Sequence, residues 1–424
     1  MKYFINIIIL IVFIPIQSGF CITCDEAVGF AIKQSETIQM SDATAETIRE
    51  SGKQSTAFKY PNVNFHASYT ELDTNKKDSV LYPFLNQPDH DVNASVQFSQ
   101  LLFAGGRLWM SNALKQKFYS QADWTQKLGK RELSMQVRMA FYQALYQKAA
   151  VDILQDRLAQ RKAELEDAMD LRNVGVVTSL DVRQAQLSLN LATDELNAAQ
   201  ASYQNVLIEF NVAMGRNAND TLFVPEGSLS GVTNLSSVLN QLDDALKKNR
   251  LMDLQMALLE TETSRIQLQF EKAKQYPEIS LVALAKKNGD DFDNCFNYYQ
   301  VGAQFSYPLF DGFLIRSQIA QKKANLTKSQ AQQNYIKKTL EGKIRSLHVN
   351  HESIEKRIEL QKQAIILSKD NYDDARGQYR AGTITITQLG EFNLSYAESR
   401  FNLLRIYFLQ CELYVQTMTL LDFI

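Results

Sequence analysis

The chain has 424 residues, 45% of them apolar, with a net charge of −2, four cysteines and four histidines. That near-neutral balance excludes a basic groove for nucleic acid and a polybasic membrane patch, and so few cysteines exclude a disulfide-built scaffold. Stability has to come from packing.

Met1 to about Gln17 holds one lysine and then an apolar run from Phe4 to Ile14, ending near Pro15. The pattern predicts an export signal over residues 1–20, with an apolar core short of the ~20 residues that cross a bilayer as a helix. Cys21 and Cys24 follow at once. Three readings of them stand: a remnant of the leader, a periplasmic disulfide, or a lipid-anchored terminal cysteine. Phe20 counts against the last, because lipid attachment generally requires a small residue before the cysteine.

The mature chain reads as two similar halves, 21–225 and 226–424, each with a helix, a strand pair and a long helical hairpin. An amphipathic segment from Asp25 to about Ala57 opens the first half, and its counterpart, Val238 to about Lys274, opens the second. Apolar periodicity then drops to two. In strands predicted at 62–71 and 91–103, Val63, Phe65, Ala67 and Tyr69, and then Val92, Ala94, Val96 and Phe98, alternate with polar residues. The second half repeats this at 298–308, where Tyr299, Val301, Ala303, Phe305 and Tyr307 alternate, with a weaker, partly buried partner at 278–286. Such alternation fits a half-buried soluble sheet. Segments of about 9 to 11 residues with one apolar face are also what an outer-membrane strand requires. Aromatics near the strand ends, including Phe58, Tyr60, Phe103, Trp109, Tyr276 and Phe310, favour the membrane, as an interfacial girdle does.

Beyond each strand pair lies a tract free of proline, residues 89 to 224 and 309 to 424. The segment from Leu108 to Arg172 has Gly129 as its one glycine, and as a helix it would run ~100 Å. After a turn at Gly175, apolar residues spaced three and four apart continue from Val182 through Leu189, Leu196 and Tyr203 to Ala213. Ile344, Leu347, Ile354, Ile358, Tyr372, Ala375 and Tyr379 follow the same alternation, interrupted by His351, Gln361 and Ser368. A 3.5-residue period over that length predicts helices lying along their neighbours in coiled-coil fashion.

The turns match. Arg172 to Thr178 lines up with Arg380 to Thr385, and the glycines Gly175 and Gly382 lie 207 residues apart. Each glycine suits the left-handed residue that ends a helix, and Thr178 and Thr385 are each followed three residues later by Asp181 or Gln388, a capping-box spacing. His348 and His351 are three apart on a helix and read as packing or surface. No metal or cofactor motif is visible.

Four strands cannot close a transmembrane barrel, since an open edge in lipid is forbidden and the smallest bacterial barrels have about eight strands. Several copies must contribute. The fold class predicted is therefore mainly α, with long coiled-coil helical hairpins plus four β-strands per chain, an internal repeat, and closure as an α/β barrel between copies.

From Asp25-Glu26-Ala27-Val28 onward, the chain resembles the TolC-type outer-membrane efflux protein family. The residues that carry this include Tyr60-Pro61, Leu102-Phe103-Ala104-Gly105-Gly106, Pro308-Leu309-Phe310-Asp311-Gly312, the turns at Gly175 and Gly382, and Asn211 to Arg216. The resemblance implies a homotrimer, a twelve-stranded barrel in outer-membrane lipid and a periplasmic tunnel of twelve helices. It also implies a periplasmic adaptor and an inner-membrane pump as partners, no cofactor, and a role as exit duct in tripartite efflux or type I secretion. Gly175, Thr178, Gly382 and Thr385 would then form the tip turns beside a gate. Asp181 and Tyr379 match gate positions, whereas Ile384 stands where a member of the family has an arginine. Gln388 and Glu391 fall where that member has two constricting aspartates. Asp181 is equally read as a cap, and Glu391 as a solvated helix face.

A soluble periplasmic coiled-coil scaffold or adaptor is the rival reading, and it accounts for neither the leader, the alternating segments nor the aromatics. An enzyme has least support: no phosphate loop, nucleophile elbow or Ser/His/Asp constellation is present.

Overall fold

A computed structural model describes residues 21–71, 90–220, 222–231, 234–289 and 295–421. The leader, most of the residues between the strands predicted at 62–71 and 91–103, and part of those between the strands predicted at 278–286 and 298–308 lie outside the described residues.

Two residues of β1 (Cys21–Ile22) come first, then α1 (Cys24–Gln34) and α2 (Glu36–Gln54). The opening segment is thus two helices rather than one. Ser35 between them is extended, with ψ 134°, and its hydroxyl accepts from the Thr37 amide at 3.2 Å, so it restarts the chain as a cap would. The strands β2 (Asn62–Glu71) and β3 (His90–Ala104) follow, then the 67-residue α3 (Arg107–Asn173) and α4 (Ser179–Ala213). β4 (Val224–Pro225) closes the first half, and the second opens with α5 (Leu235–Lys247) and α6 (Met252–Lys272), a segment that is again broken, here around Asn249 at φ 52°. The chain ends in β5 (Glu278–Gly289), β6 (Cys295–Ser306), α7 (Leu314–Arg380) and α8 (Ile386–Leu421), with α7 matching α3 at 67 residues.

The chain forms two compact units, each taking chain from both halves. One comprises Met40–Lys127 and Lys248–Glu341 and contains the antiparallel sheet, in the order β2-β3-β5-β6. Pairing puts Val63 opposite Phe98, Phe65 opposite Val96, Ala283 opposite Val301 and Ala285 opposite Tyr299, so one face is apolar across all four strands. Asn64, Gln97 and Gln300 lie on the other face, which Val282 and Leu284 of the weaker strand interrupt. Many side chains of the apolar face, Phe65, Val301 and Phe305 among them, are exposed. A bulge between Leu101 and Phe103 bends β3 toward its helix. There Gly105, at φ 61°, passes so close to the 273–276 turn that a Cβ would lie 2.5 Å from the Ala273 carbonyl. Only glycine fits there, which fixes the strand-to-helix junction.

The described residues of the other unit fall within 21–39, 128–247 and 342–421. Its largest core joins Ala27 and Ala31 of α1, Val137 and Phe141 of α3, Phe210 of α4, and Cys411 and Val415 of α8. Burial raises the Cys24 thiol to about 11. Farther along, the α4 seam is buried or half-buried at every position from Val182 to Ala213, and Leu196 packs on Val151 and Leu154. The α7 seam behaves likewise, and its polar interruptions are bonded: Gln361 donates to the Ser399 carbonyl at 3.0 Å and His351 meets the Ser236 hydroxyl at 2.8 Å. Among the described residues no helix is long and apolar enough to cross a membrane.

Candidate functional site at the helical tip

Four helices end together at the two turns. α3 stops at Asn173, Gly175 takes φ 79°, and α4 starts behind Thr178; α7 stops at Arg380, Gly382 takes φ 73°, and α8 starts behind Thr385. The Thr178 hydroxyl accepts from the Leu180 amide at 3.2 Å, and Asp181 Oδ2 accepts from the Thr178 amide at 2.8 Å. Gln388 does the same for Thr385, with its Oε1 2.9 Å from the Thr385 amide. Both boxes satisfy amides that the helix itself leaves open. The turns also touch: a Cβ on Gly382 would lie 2.9 Å from Val176 Cγ1.

Behind them lies a core of Leu165 and Ala168 from α3, Ala185 from α4, Tyr372, Ala375 and Tyr379 from α7, and Ile386 and Leu389 from α8. Tyr379 is 1% exposed, and its hydroxyl has no hydrogen-bond partner. Burial, with Asp181, Asp167 and Glu164 adding to it, pushes this phenol up to about 12, so it is neutral at physiological pH. Asp181 and Tyr379 are therefore near enough to feel each other, yet no hydrogen bond joins them. The Asp181 carboxylate is committed to Thr178, whose hydroxyl and amide hold it below the usual carboxylate range. Gln388 and Glu391 are exposed on α8.

Two polar clusters here escape the sequence reading. Asp167 on α3 accepts from Arg376 Nε at 2.8 Å and from Arg380 Nη2 at 2.8 Å, one turn apart on α7. Burial alone would raise this carboxyl, but the bonds from Arg380 and Arg376 outweigh it and hold it low. One turn deeper, Glu164 is 1% exposed and accepts from Arg161 at 2.7 Å, Tyr372 at 3.1 Å and Asn393 at 2.9 Å. Charge and burial coexist there because each Glu164 oxygen has a donor. The available signal was depth: Glu164, Tyr372 and Asn393 stand eleven, ten and eleven residues from their turn glycines. Among the described residues no group of side chains is arranged to hold a metal ion.

The chain thus combines long paired helices ending in two capped turns with a small sheet whose apolar face is exposed. Residues 28–216 and 242–406 match the outer membrane efflux protein family, and the chain belongs to that family. It is 23% identical over 317 residues to the outer membrane protein TolC of Salmonella enteritidis, 71% of this chain and 62% of that protein. The chain thus spans about three-fifths of the length of that relative. In fold it is similar to the outer membrane protein VceC of Vibrio cholerae, with a TM-score of 0.78 at 17% identity, covering 94% of this chain and 96% of that one. It is likewise similar to the CmeC outer membrane channel of Campylobacter jejuni, with a TM-score of 0.76 at 14% identity over 94% and 85% of the two chains.

Proposed function

We propose that this protein is the outer-membrane exit duct of a tripartite efflux or type I secretion system, working as a homotrimer with a periplasmic adaptor and an inner-membrane pump. The observation that carries this reading is the sheet: four strands, one apolar face and, among the described residues, no strand paired beyond β2 or β6. An unpaired edge in lipid is prohibitively costly, so β6 of one copy pairs with β2 of the next, and three copies close twelve strands. The helices support it. Besides its buried seam, α4 carries a second apolar stripe, Leu180, Leu187, Leu191, Ile208 and Val212, that is exposed. Its spacing is that of another seam, and a neighbouring copy's helix is its natural cover.

In this assembly the loops of the sheet face outward and the helices lie in the periplasm. The tip around Gly175, Thr178, Gly382 and Thr385 is the inner mouth. Asp181, Tyr379, Gln388 and Glu391 form its gate. Cross-linking in isolated outer membranes tests the reading: a ladder ending at three copies is expected, and a monomer that keeps its β-structure in lipid overturns it. Co-purification of an adaptor and pump tests the tripartite role separately.

A further inference from the structure

The apolar face of the sheet carries a lysine. Cross-strand pairing sets Ala67, Ala94, Lys287 and Asn297 side by side across β2, β3, β5 and β6. The next row toward the helices is Phe65, Val96, Ala285 and Tyr299, and below that come Val63, Phe98, Ala283 and Val301. Larger side chains on β3 and β6 therefore flank two alanines on β5. The result is a shallow trough of about 190 Å³, floored by Ala285, walled by Val96 and Tyr299, and headed by Lys287. A second hollow of about 330 Å³ opens beside the same lysine, against Val92 and Ala94. Among the described side chains of this face the other charge is Glu71, four positions nearer the loops than Ala67.

We propose that the trough seats an acyl chain of a phosphorylated glycolipid of the outer leaflet, with the lipid's phosphate on Lys287. The inference rests on the duct reading, which turns this face to lipid and the β5–β6 loop outward. A lysine on the lipid face costs about 2–4 kcal/mol at the bilayer midplane and about 0–1 kcal/mol near the interface. Lys287 lies two residues short of the end of β5, and its flexible stem lets the ammonium rise to the headgroup level. A phosphate is the anion available at that level, and Asn297 beside the lysine adds an amide donor. The alanine column directly beneath supplies the complementary half, a lane of chain width between two ridges. Here the charge and the lane lie on one strand.

The test uses the full-length protein, purified from outer membranes in mild detergent, delipidated and recharged with defined lipids. Native mass spectrometry then counts bound bisphosphorylated lipid A, its dephosphorylated form and phosphatidylglycerol. Wild type is expected to retain bisphosphorylated lipid A at least tenfold better than the dephosphorylated form or phosphatidylglycerol. Lys287→Gln should remove that preference, while Lys338→Gln, at an exposed position of α7 away from the trough, should keep it. Ala285→Phe fills the lane and should weaken retention of lipid A with the lysine intact. Equal retention by Lys287→Gln and wild type overturns the proposal, as does phosphatidylglycerol binding as well as lipid A. A chain that does not partition into the outer membrane overturns the duct reading instead, so the two failures are distinguishable.

Discussion

Tyr379 sits in the tip core, to which all four helices contribute, and its hydroxyl has no hydrogen-bond partner among the described residues. A buried hydroxyl left unbonded costs about 1–3 kcal/mol. Tyr379→Phe should therefore leave the thermal stability of the isolated chain unchanged or slightly raised, whereas Tyr379→Ala should lower it by about 3–5 kcal/mol. If the phenylalanine variant instead weakens the trimer, as judged by dissociation in detergent, the hydroxyl finds its partner in a neighbouring copy. Asp167 acts through charge. Its carboxyl titrates lower in the folded state than its ordinary value, so its contribution is complete above about pH 4 and fades as pH falls through the folded value. Amide exchange at the tip should accelerate below that pH. Asp167→Asn should show faster exchange already at pH 7, by about the 1–2 kcal/mol of ion pairs with two partly exposed arginines, and a smaller acid response, the remainder being the Asp181 cap.

At the scale of elements, α4 presents two apolar stripes that differ in their cover. Leu196 is 8% exposed and packs on Val151 and Leu154, while Leu191 is 57% exposed. Leu196→Asp should cost a few kcal/mol in the folding of the chain itself. Leu191→Asp should leave the monomer folded and block assembly, which size-exclusion chromatography with circular dichroism separates. Periodicity made the long helices and both seams legible, because a three-four alternation held over ten positions fits little besides a helix lying along another helix. The Thr178 and Thr385 boxes were legible for a local reason: a cap needs partners three residues away. The breaks at Ser35 and Asn249 were not, since neither position has a proline or glycine to announce it. The Asp167 and Glu164 clusters were hidden because all their partners but Arg161 lie more than two hundred residues away in sequence. Depth from the turn glycines brings them together, and that follows only once the two hairpins are laid side by side.

For the whole molecule, the proposed trimer turns each single acidic residue of the tip into a ring of three around one axis. Glu391 is exposed on α8, five residues past its first residue Ile386, so helical rise places it about 8 Å inward from the start of the helix. Three carboxylates facing a shared narrow path attract cations and repel anions, and low-dielectric walls strengthen the effect. Gln388, one turn nearer the tip, is neutral and already committed to the Thr385 amide, so it adds no charge to the ring. Ile384 packs against the tip core, where it supplies no cation to offset Glu391. In the proposed gate, closure would rest on that packed core and on the Asp167 grip of Arg376 and Arg380, and selectivity on Glu391. In planar bilayers Glu391→Gln should lower the cation-to-anion permeability ratio with little change in how often the channel opens. Asp167→Asn should do the reverse, raising the open fraction and leaving the permeability ratio near the wild-type value. If both variants shift the permeability ratio alike, or neither moves either quantity in an intact channel, gate and selectivity ring are not separate devices.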